Sequence, residues 1–256
     1  MMILYNKSER IATITLNRPE KRNALNAEMV TQIKHALLQA KNDKEVKLIL
    51  IKANGESFCA GADLAYLQQL QANSYEENIA DSTHLMEMFE MIYNMPKVVI
   101  SIVEGAALAG GCGLASVCDF CIATDESTFG YTEVKIGFIP AIVKVFLLRK
   151  LGETKTKELL LTGNIISAEE AAKIGLINTS LPKAELENYI QKLTYKLLNN
   201  SSEQSMGLIK EMISNIPSMS VKEALEYAVK MNANARASDD CKKGISAFLN
   251  KEKISW

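Results

Sequence analysis

Histidine is scarce: the 256 residues hold two, His35 and His84. The five cysteines, Cys59, Cys112, Cys118, Cys121 and Cys241, do not make up for it. Cys118 and Cys121 have CxxC spacing, but a structural zinc needs a second ligand pair, and neither histidine supplies one at useful spacing. An odd cysteine count in a chain without an export signal predicts free thiols. The segment around the CxxC pair, 114–123, is apolar, so both thiols are expected inside as small hydrophobes. No metal is expected. An excess of one charge is also missing. Lys and Arg total 29 against 30 Asp and Glu, a formal net charge of −1, with no basic stripe. That argues against nucleic acid, RNA included, as a partner. Apolar runs stop well short of the ~18 residues of a membrane span. The longest candidates, near Val98–Val103 and Ile136–Leu148, are broken by charge, Gly or Pro. The opening residues Met1–Lys7 lack the charged-then-apolar layout of a signal peptide. The expectation is a cytoplasmic protein with no membrane contact.

What is present is the composition of a globular protein, 48% hydrophobic and 23% charged, long enough for one large domain or a domain with a helical appendage. Ile11–Leu16 alternates like a half-buried strand and pairs naturally with residues 2–6 as a hairpin. Asn26 is placed to cap a helix to about Asn42, with Met29, Ile33, Ala36, Leu37 and Ala40 on one face. Buried strands are expected at 46–51, 98–103 and 120–123, and a helix at 76–94 ended by Pro96. Strand, small-residue loop and helix recur, which implies an α/β fold with parallel strands and right-handed crossovers. Beyond residue 142 the pattern is nearly all helix: about 142–150, 153–161, 167–173, 183–199, 203–214, 220–234 and 238–249.

Two loops carry the candidate chemistry. Gly55–Asp63 and Gly105–Gly113 each follow a buried strand, are rich in small residues, and open a helix. Small side chains let a ligand approach the backbone, and N–H groups at a helix start are unpaired and partly positive. Two such loops on neighbouring strands can aim two donors at one oxygen, as an oxyanion hole requires. The first lacks the Gly-Lys-Ser/Thr ending of a P-loop, and the second lacks GxGxxG spacing, so neither reads as a phosphate cradle.

These segments resemble the crotonase (enoyl-CoA hydratase/isomerase) superfamily. The likeness rests on Phe58-Cys59-Ala60-Gly61-Ala62-Asp63-Leu64, on Gly105 to Ala115 followed by Cys118-Asp119, and on Phe129-Gly130-Tyr131-Thr132-Glu133-Val134 with Gly137-Phe138-Ile139-Pro140 downstream. Asn17-Arg18-Pro19, Asn23 to Asn26, Leu161-Thr162-Gly163, Ala168 to Ala171 and Gly175-Leu176-Ile177 extend it over nearly the whole chain. The resemblance implies a spiral of ββα turns over 1–196 and a C-terminal helical region, 197–256, that helps form trimers, often paired into hexamers. It implies an acyl-CoA thioester as substrate, with no separate cofactor. By motif position, the N–H groups of Ala62 and Gly110 would hold the thioester oxygen and stabilise an enolate. Arg22, Ala24, Ala60, Asp63, Leu64, Gly113 and Pro140 would fall along the bound substrate.

Glu133 stands at the family position of a catalytic glutamate, beside apolar Ile136, Phe138 and Ile139, which would raise its pKa toward neutrality. Typical hydratases of the family carry a second glutamate where this chain has Gly113. Asp119 reads as structural, and Glu104 and Glu126 are weak substitutes. Two mechanisms stay open: Glu133 alone adds water, or it shuttles a proton between the α and γ carbons. The wider segment is similar to bacterial methylglutaconyl-CoA hydratases, in which the leading expectation is hydration. Ala141-Ile142-Val143 replaces the Gly run that follows this proline in many relatives. The distal carboxylate of such a substrate would call for a cation, with Lys144 and Arg149 as candidates. The alternatives are a Δ3,Δ2-enoyl-CoA isomerase, a short-chain enoyl-CoA hydratase, and an acyl-CoA-binding protein without turnover.

Overall fold

The computed structural model describes residues 1–256. The chain opens with the expected hairpin, β1 (Ile3–Ser8) and β2 (Ile11–Leu16), paired antiparallel. Helix α1 (Ala27–Asn42) follows, capped by the Asn26 side chain, which accepts from the Met29 N–H. Its buried face is the expected one with Val30 added. Next come β3 (Leu48–Ala53), β4 (Ser57–Cys59), the short α2 (Leu64–Leu70) and α3 (Tyr75–Tyr93). Strands β5 (Val98–Val103) and β6 (Ala106–Leu108), helix α4 (Gly110–Val117), and strands β7 (Phe120–Thr124) and β8 (Thr128–Gly130) complete the repeating part. The rest is α5 (Val143–Thr162), β9 (Ile165–Ser167), α6 (Ala168–Lys173), β10 (Thr179–Leu181), α7 (Lys183–Asn199), α8 (Glu203–Asn215), α9 (Val221–Ala237) and α10 (Asp239–Leu249).

Two sheets result. The larger runs β1-β2-β3-β5-β7-β10, and every pair after the hairpin is parallel. Both of its faces are covered, which is why β3 and β5 read as continuous apolar runs rather than alternating ones. Ile49, Ile51, Val99 and Val103 enter the main core of 39 residues. Leu48, Val98 and Ile100 face the other way and pack with Leu186 and Ile190 of α7. The smaller sheet, β4-β6-β8-β9, is built of three-residue strands, the first three parallel. The sequence reading did not see these strands. Three residues are too few to show a period, and their Ala, Gly and Ser content signals loop.

Other boundaries moved for visible reasons. The third strand begins at Leu48 rather than at 46, and Lys47 just before it is turned to another task. Lys47 is only 1% exposed, and its ammonium donates to the carbonyls of Leu198 (2.7 Å) and Ser201 (2.7 Å) at the end of α7. Lys97 does the same for Ala40 and Asp43 at the end of α1. These cations satisfy carbonyls that a helix C-terminus leaves free. Lys47→Met should therefore cost about 2–3 kcal/mol in denaturant unfolding, the penalty for stranding buried acceptors; a loss under about 0.5 kcal/mol would contradict this role. The helices expected at 142–150 and 153–161 form one run, α5, interrupted where Gly152 leaves helical geometry (φ 70°, ψ 179°). The division expected after residue 196 falls in the last turn of α7.

Candidate active site

The small sheet positions the site. Strands β4, β6 and β8 are parallel neighbours, so the chain leaves all three at the same edge. Ala62 follows β4, Gly110 follows β6 and Glu133 follows β8. Adjacent strands lie ~4.8 Å apart, so three segments distant in sequence converge.

The two loops touch. Gly61 adopts φ 93°, which a side chain would strain, and a Cβ there would lie 2.6 Å from Ala109 Cβ and 3.3 Å from the Gly110 nitrogen. Only glycine lets the loops come this close. A Cβ on Gly111 would meet the Cys59 carbonyl oxygen at 2.2 Å, so the start of α4 is seated directly on the end of β4. Ala109 holds φ 51° and ψ −128° to turn the chain into α4, and its N–H donates to the Gly130 carbonyl at 2.7 Å.

The two proposed donors are free. Ala62 forms a bridge with Leu25, but the bonds there run from Leu25 N–H to the Gly61 carbonyl (2.7 Å) and from Asp63 N–H to the Leu25 carbonyl (2.8 Å). The Ala62 N–H meets no acceptor of the chain, nor does that of Gly110, the first residue of α4. Pairs of unspent N–H groups on touching loops are what an oxyanion would complete.

Glu133 begins a short 3-10 turn, Glu133–Ile136, and is 8% exposed. Its Oε2 is buried with no hydrogen-bond partner. Burial raises its pKa above the ordinary carboxylate value, opposed only by its own backbone N–H. A carboxyl so placed is suited to exchange protons near neutral pH. Two residues earlier, the fully buried Tyr131 contacts Ser116 of α4, hydroxyl to hydroxyl at 3.1 Å, fastening the Glu133 segment to the helix that Gly110 opens. Sequence reading missed this tie, because nothing in a lone tyrosine announces its partner. Cys112 is close by, but burial pushes its thiol up to about 12, so it is no nucleophile.

The remaining candidates fall in two groups. Arg22, Ala24, Ala60, Asp63 and Leu64 come together, zipped by the bonds above and by Ala60 N–H to the Arg22 carbonyl (3.0 Å). Arg22 and Leu64 are exposed and Ala24 is buried. The Asp63 carboxylate is already committed: it pairs with Arg18 at 2.7 Å and caps α2 through Ala65 N–H at 2.9 Å. Burial alone would raise its pKa, but the Arg18 guanidinium and the capping N–H groups outweigh burial and hold it low. What Asp63 gives the site is a fixed loop, with Arg18 as the partner that sequence reading did not assign. Gly113 is buried in α4, and the Pro140 carbonyl accepts from Lys144 N–H (3.0 Å) in the connection that follows Glu133. A Cβ at Gly113 would sit 2.2 Å from Val143 Cγ1 and 2.8 Å from Val143 Cβ. The place of a second carboxylate is therefore filled by a valine.

No substitute carboxylate arrives. Asp119 accepts from Val99 N–H at 2.7 Å and pairs with Lys210, the structural role expected of it. Glu104 pairs with Lys183 at 2.8 Å, and Glu126 is exposed. Arg149 donates to the Tyr93 hydroxyl (3.4 Å) and the Ser214 carbonyl (3.2 Å), whereas the Lys144 side chain is exposed and engages no other side chain. All five cysteines are free, four of them buried. No helix is long and apolar enough to cross a membrane.

Known proteins resemble the chain over nearly its whole length. Residues 6–256 match the family model described as Enoyl-CoA hydratase/isomerase. A protein of Thermus thermophilus named putative enoyl-CoA hydratase is 39% identical, with 94% of this chain and 95% of that one covered. Crotonyl-CoA hydratase of Syntrophomonas wolfei is 34% identical, over 99% of this chain and 97% of that one. The crystal structure of a putative enoyl-CoA hydratase/isomerase (crotonase) from Legionella pneumophila superposes with a TM-score of 0.89 at 33% identity, covering 99% and 98% of the two chains. An α/β scaffold with two free N–H donors on touching loops and a buried carboxylate on the segment after the neighbouring strand is consistent with an acyl-CoA enzyme of the crotonase type. The chain belongs to the enoyl-CoA hydratase/isomerase family.

Proposed function

We propose that Glu133 carries every proton this enzyme moves, that the Ala62 and Gly110 N–H groups hold the thioester oxygen, and that the reaction adds water to an α,β-unsaturated acyl-CoA of the methylglutaconyl-CoA kind. The observation that carries it is the unpartnered, buried Oε2 of Glu133, on the segment after β8, together with two unspent N–H donors on the loops after β4 and β6. In this reaction the Glu133 carboxylate takes a proton from water as the water oxygen bonds to the β-carbon. The electron pair of the double bond moves through the α-carbon onto the thioester oxygen, where the two N–H groups stabilise it. The enolate then collapses, and the α-carbon takes the proton back from Glu133. The acid-base cycle closes on one carboxyl group, and CoA enters only as part of the substrate.

Lys144 is the cation we assign to a distal carboxylate, since Arg149 is tied to Tyr93 and Ser214. A charge-assisted hydrogen bond is worth ~1.5–3 kcal/mol. Lys144→Ala should therefore lower kcat/KM for methylglutaconyl-CoA at least tenfold relative to crotonyl-CoA, while Arg149→Ala should affect both alike. An unchanged ratio in Lys144→Ala would remove Lys144 from the site.

The apolar Val143 at the second carboxylate's place favours one other reading, a Δ3,Δ2-enoyl-CoA isomerase. There Glu133 takes the α-proton of a 3-enoyl-CoA and returns it at the γ-carbon, and no water is needed. Incubation with methylglutaconyl-CoA, crotonyl-CoA and a 3-enoyl-CoA in ¹⁸O-water separates the two. Hydration puts ¹⁸O into the product; isomerisation of the last substrate without label overturns the hydratase reading. Binding of CoA esters without Glu133-dependent turnover would make the chain a binding protein. The assembly we infer is a trimer or hexamer in the cytoplasm. Exposed Ile213, Val221, Val229 and Phe248 on the C-terminal helices support further burial, and five free thiols suit a reducing compartment.

A further inference from the structure

Val143 is the first residue of α5 and is 5% exposed. Its side chain fills the space in front of Gly113, with Phe89 Cε1 only 3.4 Å from the same point. Phe89 is fully buried and stacks on Phe146, one turn further along α5, with ring centroids 6.3 Å apart. Gly110 and Gly113 are three residues apart on α4, so they share a helix face. Gly110 opens α4 with a free N–H, and Gly113 lies one turn further along on the same side, so Val143 packs within one helical turn of the donor that would hold the thioester oxygen. Glu133, ten residues earlier on the same connection, opens the turn after β8, in a segment tied to α4 by the Tyr131–Ser116 contact. A β-branched side chain in a helix has one strongly preferred rotamer, and here aromatic packing backs it. It makes a stiff stop.

We propose that Val143 is a specificity-determining residue: it closes the acyl pocket on the α4 side and sets the size of the acyl group accepted. This rests on the reading that Ala62 and Gly110 hold the thioester oxygen. It predicts a site for short acyl groups, with the limit imposed from α5 and not from the oxyanion loops. Each methylene seated against apolar wall is worth a factor of roughly four in affinity. Removing the two methyl groups of Val143 should let a longer chain seat about two more carbons.

The test measures binding of three saturated, unreactive esters, acetyl-CoA, butyryl-CoA and hexanoyl-CoA, by titration calorimetry. The wild type is compared with Val143→Ala and Val143→Ile. Val143→Ala should shift the hexanoyl-to-butyryl affinity ratio roughly tenfold toward hexanoyl-CoA, with acetyl-CoA little changed. Val143→Ile, which keeps the β-branch and adds a methylene, should shift it the other way by at least threefold. Thermal melts establish that each variant is folded, and a merely structural role for Val143 would lower both affinities together and leave the ratio alone. Ratios within twofold of wild type in both variants overturn the proposal while the acyl-CoA reading stands. A wild-type chain that binds none of the three esters overturns that reading and this proposal with it.

Discussion

Glu133→Gln should lower kcat by roughly 10³-fold or more while leaving the affinity for acyl-CoA within a few-fold and the melting temperature no lower than that of the wild type. General acid-base catalysis contributes ~10²–10⁴, and in the proposed mechanism a single carboxyl group supplies it, because the place in front of Gly113 is taken by Val143. No neighbouring carboxylate is free to take over, as Asp119 and Glu104 are each held by a lysine. Affinity should persist because the glutamine is isosteric and the Ala62 and Gly110 donors are untouched. The stability effect follows from linkage. Burial raises the folded-state pKa of Glu133. Such a group contributes stability that is fully present below the ordinary carboxylate pKa and is lost as pH rises through the raised folded value. At neutral pH the ionised side chain is thus a liability that glutamine lacks. The gain in melting temperature of Glu133→Gln over wild type should shrink toward zero as the pH falls below the ordinary carboxylate range. The same shift means that wild-type kcat/KM should rise with pH through the raised pKa, since the base must be ionised to act. A variant that retains a tenth of wild-type kcat would show that another group moves the proton.

The order of elements was legible in the sequence because most of them carry a period. Helix α1 shows a 3.6-residue stripe and a capping asparagine, and β2 alternates. The site was legible for another reason. The functional atoms proposed for it are backbone N–H groups, and the small residues that expose them, such as Gly61 and Gly110, mark their own position. Glu133 was singled out through its setting in Phe129-Gly130-Tyr131-Thr132 and not through any property of a lone glutamate. What stayed hidden was pairing. The three-residue strands β4, β6 and β8 acquire meaning only as neighbours in one sheet, and Arg18 is unremarkable until Asp63 is seen 2.7 Å away. Nothing in the sequence marks Lys47 as buried, yet its ammonium is enclosed against the end of α7, some 150 residues on, where two carbonyls accept from it.

The same distinction governs the second carboxylate. Gly113 and the Ala141-Ile142-Val143 run were each visible in the sequence as departures from relatives, but nothing there joined them. In the fold they are one departure: the glycine exists because the valine occupies its Cβ space at 2.2 Å. Gly113→Glu alone should accordingly be one of the most damaging single changes in the core. Overpacking typically costs ~1–3 kcal/mol, and the forced burial of a carboxylate adds to it. A total of about 3 kcal/mol or more is expected, which for a domain of this size lowers the melting temperature by roughly 10 °C. Val143→Gly should also destabilise, through the cavity it leaves. The double variant, however, removes the clash and fills the cavity with the new side chain, so the two costs should not add. A double-mutant cycle by denaturant unfolding should show the pair more stable than the sum of its singles by ~2 kcal/mol or more. Additive costs would mean that the two positions do not compete for one space. The double variant also tests the chemistry, since a carboxylate restored opposite Glu133 can hold and activate water. Its rate of ¹⁸O incorporation into the 3-hydroxyacyl-CoA formed from crotonyl-CoA, relative to isomerisation of a 3-enoyl-CoA, should rise above that of the wild type. The valine then emerges as what keeps this site to a single carboxylate.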